Sequence, residues 1–199
     1  MPEFDFLKNA GGYHLFTPIT TLYSHYQFTL KDKVKVIENG KEVVREYIVV
    51  LSGVPNNSIL IKLDENKFDV SGIFSSSIEG ICKKADYILI DNENHKVNFI
   101  ELKLGSSFTA NEITQQLIGA ECIFKYIGYL IVNYCKKKNW NNSLPFSHYC
   151  YNYVAICNIK ISRKISYHKT DKRTSPRNFL RIDYAQKIPY KRLINTISK

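Results

Sequence analysis

Two short apolar runs, residues 87–91 and 97–103, carry Ile, Val and aromatic side chains and are separated by the polar segment Asn92, Glu93, Asn94, His95, Lys96. Strand-forming runs joined by turn-forming residues predict a β-hairpin. Side chains alternate along a strand, so Glu101 and Lys103 leave the same face, about 7 Å apart at roughly 3.3 Å per residue, and Phe99 shares that face. Asp86 stands where the first strand begins. In a hairpin it lies across from the end that carries Glu101 and Lys103. Two carboxylates and an ammonium are thereby expected at one end of a sheet.

Such a grouping suits phosphodiester hydrolysis. Mg²⁺ is held by one or two carboxylates together with water and substrate phosphate oxygens. It polarises a phosphoryl oxygen and makes bound water a better nucleophile. A neighbouring lysine is a compact charge that orients the attacking water or offsets charge growing on the phosphate.

Asp86, a spacer of fourteen residues and then Glu101, Leu102, Lys103 resembles the D…(D/E)xK signature of the PD-(D/E)xK nuclease superfamily, which includes restriction endonucleases and Holliday-junction resolvases. A strand opened by Asp86, a strand closed by Glu101–Lys103 and a following helix with Gln115 and Gln116 are similar to the family's strand, strand, helix order. Ala85 stands where the family often has proline. The resemblance covers roughly residues 75–160 and implies an α/β, restriction-endonuclease-like core, a mixed β-sheet flanked by helices. It implies Mg²⁺ or Mn²⁺ as cofactor, held by Asp86 and Glu101, with Lys103 catalytic. Gln116, the polar group on an otherwise apolar helix stripe, then either faces the metal site or bonds to backbone at the helix border. Glu79, just upstream, is either a third metal carboxylate or a solvated turn residue.

At 199 residues the chain has the size of one domain with a full core. The expected division is 1–74, an N-terminal helix and β-hairpin elaboration; 75–160, the catalytic core; and 161–199, a basic segment, final strand and helix. A net charge of +10 suits a polyanionic partner. The five cysteines, Cys82, Cys122, Cys135, Cys150 and Cys157, have no zinc-like spacing and read as free buried thiols, which points to a reducing cytoplasm. The first residues lack a signal-peptide pattern. The most apolar window, 117–134, contains Glu121 and Lys125, so no membrane span is expected.

Thr17 and Pro18 followed by Ile19, Leu22, Tyr23 and Tyr26 predict a short helix without an acidic residue in its body. If relatives place a metal-binding carboxylate there, this chain must do without it or supply it elsewhere. Asn39-Gly40 between residues 34–38 and 43–51 predicts a hairpin, and 58–63 and 67–70 predict short strands. This β-rich part is scaffold or a substrate contact. Asp91 and His95 read as turn residues, with Asp91 turned away from the metal. Thr109 and Glu112 form a capping box, and Ile113, Gln116, Leu117, Ala120, Phe124, Ile127 and Ile131 share one helix face. Glu121 and Lys125 are spaced to pair. Residues 149–161 predict a central strand, 179–184 a final strand and 190–197 a helix.

Lys160, Arg163, Lys164, Lys169, Lys172, Arg173, Arg177 and Arg181 face one acid, Asp171, over residues 160–181. This run is a solvated loop or a nucleic-acid-binding segment whose affinity would fall with salt. The reading is a metal-dependent nuclease acting on DNA, with restriction, phage defence or repair as the family-level setting, as a homodimer or as a partner subunit of a defence complex. The rivals are a nuclease of RNA, a non-catalytic nucleic-acid-binding subunit, and an unrelated α/β fold. The last of these predicts that Asp86 and Glu101 lie far apart.

Overall fold

The computed structural model describes residues 20–22, 25–63, 78, 80–104, 108–134, 146–158, 174–183 and 186–194. Thr20–Leu22 (β1), His25–Glu38 (β2) and Lys41–Ser52 (β3) form an antiparallel sheet, to which Lys187–Pro189 (β9) adds in parallel beside β3. A second sheet runs in the order Ser58–Lys62 (β4), Tyr87–Asp91 (β5), Lys96–Leu104 (β6), Cys150–Asn158 (β7) and Leu180–Asp183 (β8). Its first two pairings are antiparallel and its last two parallel. The described chain is therefore α/β with mixed pairing. Parallel β6 and β7 need a crossover, and Ala110–Tyr134 (α1) lies in it; Lys191–Ile194 (α2) follows β9.

The β2–β3 turn follows directly from its residues. Asn39 and Gly40 have φ of 51° and 74°, the left-handed pair of a two-residue hairpin whose twist matches its strands. The capping box at α1 is also formed: the Thr109 hydroxyl accepts from the Glu112 amide at 3.1 Å, and Glu112 accepts from the Thr109 amide at 2.7 Å.

Each face of the five-stranded sheet has a different cover. Ile88, Ile90, Val97, Phe99, Ala155 and Cys157 pack with Ile113, Leu117, Ala120, Phe124 and Ile131 of α1. Tyr87, Leu89, Ile100, Leu102, Val154 and Ile156 pack with Phe28, Leu30, Val49 and Leu51 of the other sheet and with Ile188, Tyr190 and Leu193. Among the described residues α1 covers one face of the central strands, and the other sheet together with the short helix α2 covers the other. The cause is in the strands themselves: β5–β7 are apolar on both sides, so both faces require cover.

Several expectations change. Residues 20–22 are a strand and β2 begins at His25, so the predicted helix over 17–26 does not form there; residues 17–19, 23 and 24 lie outside the described part. Apolar residues at helical spacing were outweighed by pairing, since Thr20, Thr21 and Leu22 complete a ladder with Gln27, Tyr26 and His25. The strand over 180–183 is not the last, because Lys187–Pro189 pairs with β3. Of the four described cysteines only Cys157 is buried; Cys122 and Cys150 are exposed and Cys82 is intermediate. Cys122 lies between buried positions of α1 and Cys150 opens β7 at its solvated end, so an apolar neighbourhood in sequence did not mean burial. Cys135 and the predicted strand 67–70 lie outside the described residues. Among the described residues no helix is long and apolar enough to cross a membrane.

Asp91 is more than a turn residue. It caps the β5–β6 turn by accepting from the Glu93 and Asn94 amides, both at 3.0 Å, and it is fully buried. The Tyr190 hydroxyl donates to its other oxygen at 2.6 Å, while Asn98 donates to that hydroxyl at 3.3 Å and Asn152 to Asn98 at 3.1 Å. This network fastens the chain after β9 to the five-stranded sheet. Tyr190→Phe removes one of two donors to this buried oxygen, the Asn94 side-chain amide at 2.7 Å being the other, and is expected to cost about 1–3 kcal/mol, measured by urea unfolding.

Candidate active site

The register puts the predicted trio together. Tyr87 pairs with Ile100, so Asp86, one residue before β5, stands beside Glu101. The Leu102 amide donates to Asp86 Oδ2 at 2.6 Å, and the Asp86 carbonyl accepts from the Leu63 amide at 2.7 Å, continuing the β4–β5 ladder past the strand end. Lys103 Nζ lies 2.6 Å from Glu101 Oε1. The Glu101 side chain is 1% exposed and that of Lys103 21%, and Asp86 is intermediate. The cluster thus runs from a buried carboxylate to groups that reach solvent.

Glu101 Oε2 is buried and makes no hydrogen bond among the described residues. A buried polar atom without a partner is costly, so this oxygen marks where the cluster is incomplete. Burial raises the Glu101 carboxyl to about 7 against the downward pull of Lys103, with Asp32 adding to the rise. Burial and the charge of Glu101 also hold Asp86 well above the ordinary carboxylate range. Burial would lower Lys103, but Glu101, Asp86 and Asp32 together keep it above its ordinary value. The two acids share charge with difficulty, and the lysine between them and solvent stays cationic.

Asp32 is the residue that reasoning from the sequence passed over. Both backbone polar groups of Lys31 bond to the Tyr87 hydroxyl, its amide donating at 2.8 Å and its carbonyl accepting at 2.9 Å. That clamp ties β2 to the residue next to Asp86. The inward positions of β2 are Phe28 and Leu30 and then Asp32, so an acid stands where alternation calls for an apolar side chain. This break in a period-two pattern was the available signal.

The segment that delivers Asp86 is pressed onto α1. Lys83 Nζ donates to Gln115 Oε1 at 3.1 Å, and a Cβ on Gly119 would stand 1.8 Å from the Lys83 carbonyl oxygen. Backbone cannot rotate aside as a side chain can. Gly119→Ala is expected to destabilise the fold by about 3 kcal/mol, the upper end for overpacking, and to shift Asp86; urea unfolding reads the first effect.

Comparison with protein-family models, curated proteins and solved structures finds no match for this chain. The site therefore has to be judged on its own geometry.

The other predicted residues fare differently. Gln116 is on the α1 face turned to the sheet, and its Oε1 is buried without a hydrogen-bond partner among the described residues. No hydrogen bond among those residues joins it to Asp86, Glu101 or Lys103. Its neighbour Gln115 makes the contact to Lys83. Glu79 lies outside the described residues, as do Lys160, Arg163, Lys164, Lys169, Lys172 and Arg173. Arg177 is described, exposed in the short 3-10 turn Pro176–Asn178, which meets α1 where the Pro176 carbonyl lies 3.4 Å from the Thr114 hydroxyl, itself bonded to the Ala110 carbonyl at 2.8 Å. His95 is exposed with a φ of 50°, a turn residue as expected. Among the described residues no three His, Cys, Asp or Glu side chains gather as a metal-binding group; the cluster offers two adjacent acids.

Proposed function

We propose that this chain is a metal-dependent nuclease that hydrolyses phosphodiester bonds of DNA, with a restriction-endonuclease-like core made by the five-stranded sheet and α1. The observation that carries this reading is the buried Glu101 carboxylate, beside Asp86, with one oxygen bonded to Lys103 and the other without a hydrogen-bond partner among the described residues. A buried acid beside a half-buried one repels it unless protons or a cation neutralise the pair. Mg²⁺ or Mn²⁺ fits this donor set, since Mg²⁺ takes one or two carboxylates and completes its shell with water and phosphate oxygens. Glu101 Oε2 and the Asp86 oxygen that Leu102 does not engage would hold it. When bound, such an ion supplies Lewis-acid polarisation and activated water.

The remaining chemistry belongs to this chain. Glu101 fixes the Lys103 ammonium at the solvent side of the cluster, where it orients the attacking water and offsets charge developing on the phosphate. The Leu102 amide holds Asp86 in one orientation. A net charge of +10 favours association with a polyanion. A setting in restriction, phage defence or repair, as a homodimer or within a larger complex, belongs to the same proposal.

Purified protein is to be incubated with circular DNA, linear DNA and matched RNA, with Mg²⁺, with Mn²⁺ and with EDTA. Cleavage of DNA that EDTA abolishes is the expected result. Preferential cleavage of RNA would move the substrate class, and binding without cleavage in either metal would sink the enzymatic reading in favour of a non-catalytic subunit.

A further inference from the structure

We propose that Arg181 is a backbone-phosphate contact on the same face of the sheet, gripping the nucleic acid beside the phosphate served by Asp86, Glu101 and Lys103. The proposal rests on the nuclease reading for its substrate and on separate observations for its geometry. In the parallel ladders Glu101 pairs with Ala155 and Ala155 with Arg181. The three form one row across β6, β7 and β8. Lys103, Cys157 and Asp183 form the next row. Adjacent strands lie about 4.8 Å apart, so the Arg181 and Glu101 backbones are separated by roughly 10 Å. Only the methyl of Ala155 intervenes in the row.

Both rows face α1. Ala155 and Cys157 belong to the cluster under that helix, while Ile182, between Arg181 and Asp183, packs on the opposite side. The Arg181 guanidinium sits over the ring of Phe108, 5.6 Å from its centre, just before the capping residue of α1. Arg181 Nε donates to Asp183 Oδ1 at 2.7 Å. A planar fork with five N–H donors is thus oriented by a carboxylate on one edge and an aromatic face beneath it, and its side chain is 46% exposed.

An exposed ion pair of this kind contributes little to folding, about 0–1 kcal/mol. Its orientation matters more for a ligand. Arginine binds phosphate with two parallel N–H bonds, which a lysine cannot reproduce. Lys103 at the cluster and Arg181 two strands away put two cations on one face of the sheet.

The test measures equilibrium binding of a short DNA duplex without divalent cation in the Glu101→Gln background, from about 50 to 200 mM KCl, where one lost phosphate contact makes the slope of log K against log salt about 0.9 shallower. Adding Arg181→Met is expected to cause that change and to weaken binding about tenfold at the low-salt end. The double change Arg181→Met with Asp183→Asn leaves net charge unaltered and leaves no unpaired carboxylate, so the same loss there reports the contact and not overall charge or misfolding. Arg181→Lys is expected to recover the slope but only part of the affinity. If the double variant binds with the slope and affinity of its parent, or the parent binds no duplex, the proposal is overturned. Cleavage by the wild-type chain is read separately: a lost slope with no wild-type cleavage would remove the nuclease and keep the contact.

Discussion

Glu101→Gln is expected to lower the rate of DNA cleavage by about 10³-fold or more while leaving the fold and DNA binding intact. Under the proposed function the change removes a group at the reacting centre, where one lost electrostatic contact costs about 10²–10³, and Glu101 would contribute twice. It would give the cation a buried oxygen, and it holds Lys103 Nζ at 2.6 Å. Glutamine keeps the shape and an acceptor for Lys103 but loses the charge. Asp86→Asn is expected to behave alike, and Lys103→Met to cost about 10²-fold with the metal requirement unchanged. Single-turnover cleavage with circular dichroism of each variant checks this. A Glu101→Gln protein that cuts at the wild-type rate would remove the proposed site.

The second large effect is on stability, with a sign opposite to the usual surface carboxylate. The Glu101 carboxyl rises from 4.5 to about 7 on folding because it is buried. Below about pH 4.5 folded and unfolded chains are both protonated there, so the group makes no pH-dependent difference. Between about 4.5 and 7 the unfolded chain ionises while the folded one does not, and stability falls as pH rises. At 1.36 kcal/mol per unit the loss above pH 7 is on the order of 3 kcal/mol, and the raised Asp86 adds in the same direction. Glu101→Gln removes this loss. The variant is therefore expected to melt several degrees higher than wild type in EDTA at pH 8, at about 2–4 °C per kcal/mol for a chain this long, and to differ little at pH 4.5.

Under the proposed function a divalent cation would bind the ionised carboxylates with release of protons, so it is expected to stabilise wild type far more at pH 8 than at pH 5 and leave Glu101→Gln almost unmoved. Thermal unfolding of both proteins across this range, with and without Mn²⁺, checks each sign. Equal melting of the two at pH 8 in EDTA would mean that Glu101 is not held as described.

Local chemistry was legible where one residue or one short spacing decides the outcome. Asn39 and Gly40 specify a two-residue turn whatever surrounds them, and Thr109 with Glu112 starts a helix through bonds to its own first turn. The proximity of Asp86, Glu101 and Lys103 was legible for the same reason. A hairpin with a short turn brings its far ends together by register alone. The two-residue period put Glu101 and Lys103 on one face.

Tertiary structure decided what pairs or packs across long separations. Thr20–Leu22 became a strand because β2 offered an edge, and Lys187–Pro189 because β3 did. Helical spacing near Tyr26 carried no information about either edge. Asp32 joins the cluster through Lys31 and Tyr87, and Arg181 joins its row through two parallel ladders. The amino-acid sequence by itself determined the hairpin, its turn and the acids and amine at its open end, because those contacts close over short loops. Only the folded chain decided that Glu101 would be buried, with one oxygen unpartnered among the described residues, since its exposure depends on α1 and on strands far away in sequence. That burial, through the free energy of a desolvated charge, is what turns a three-residue motif into a candidate site.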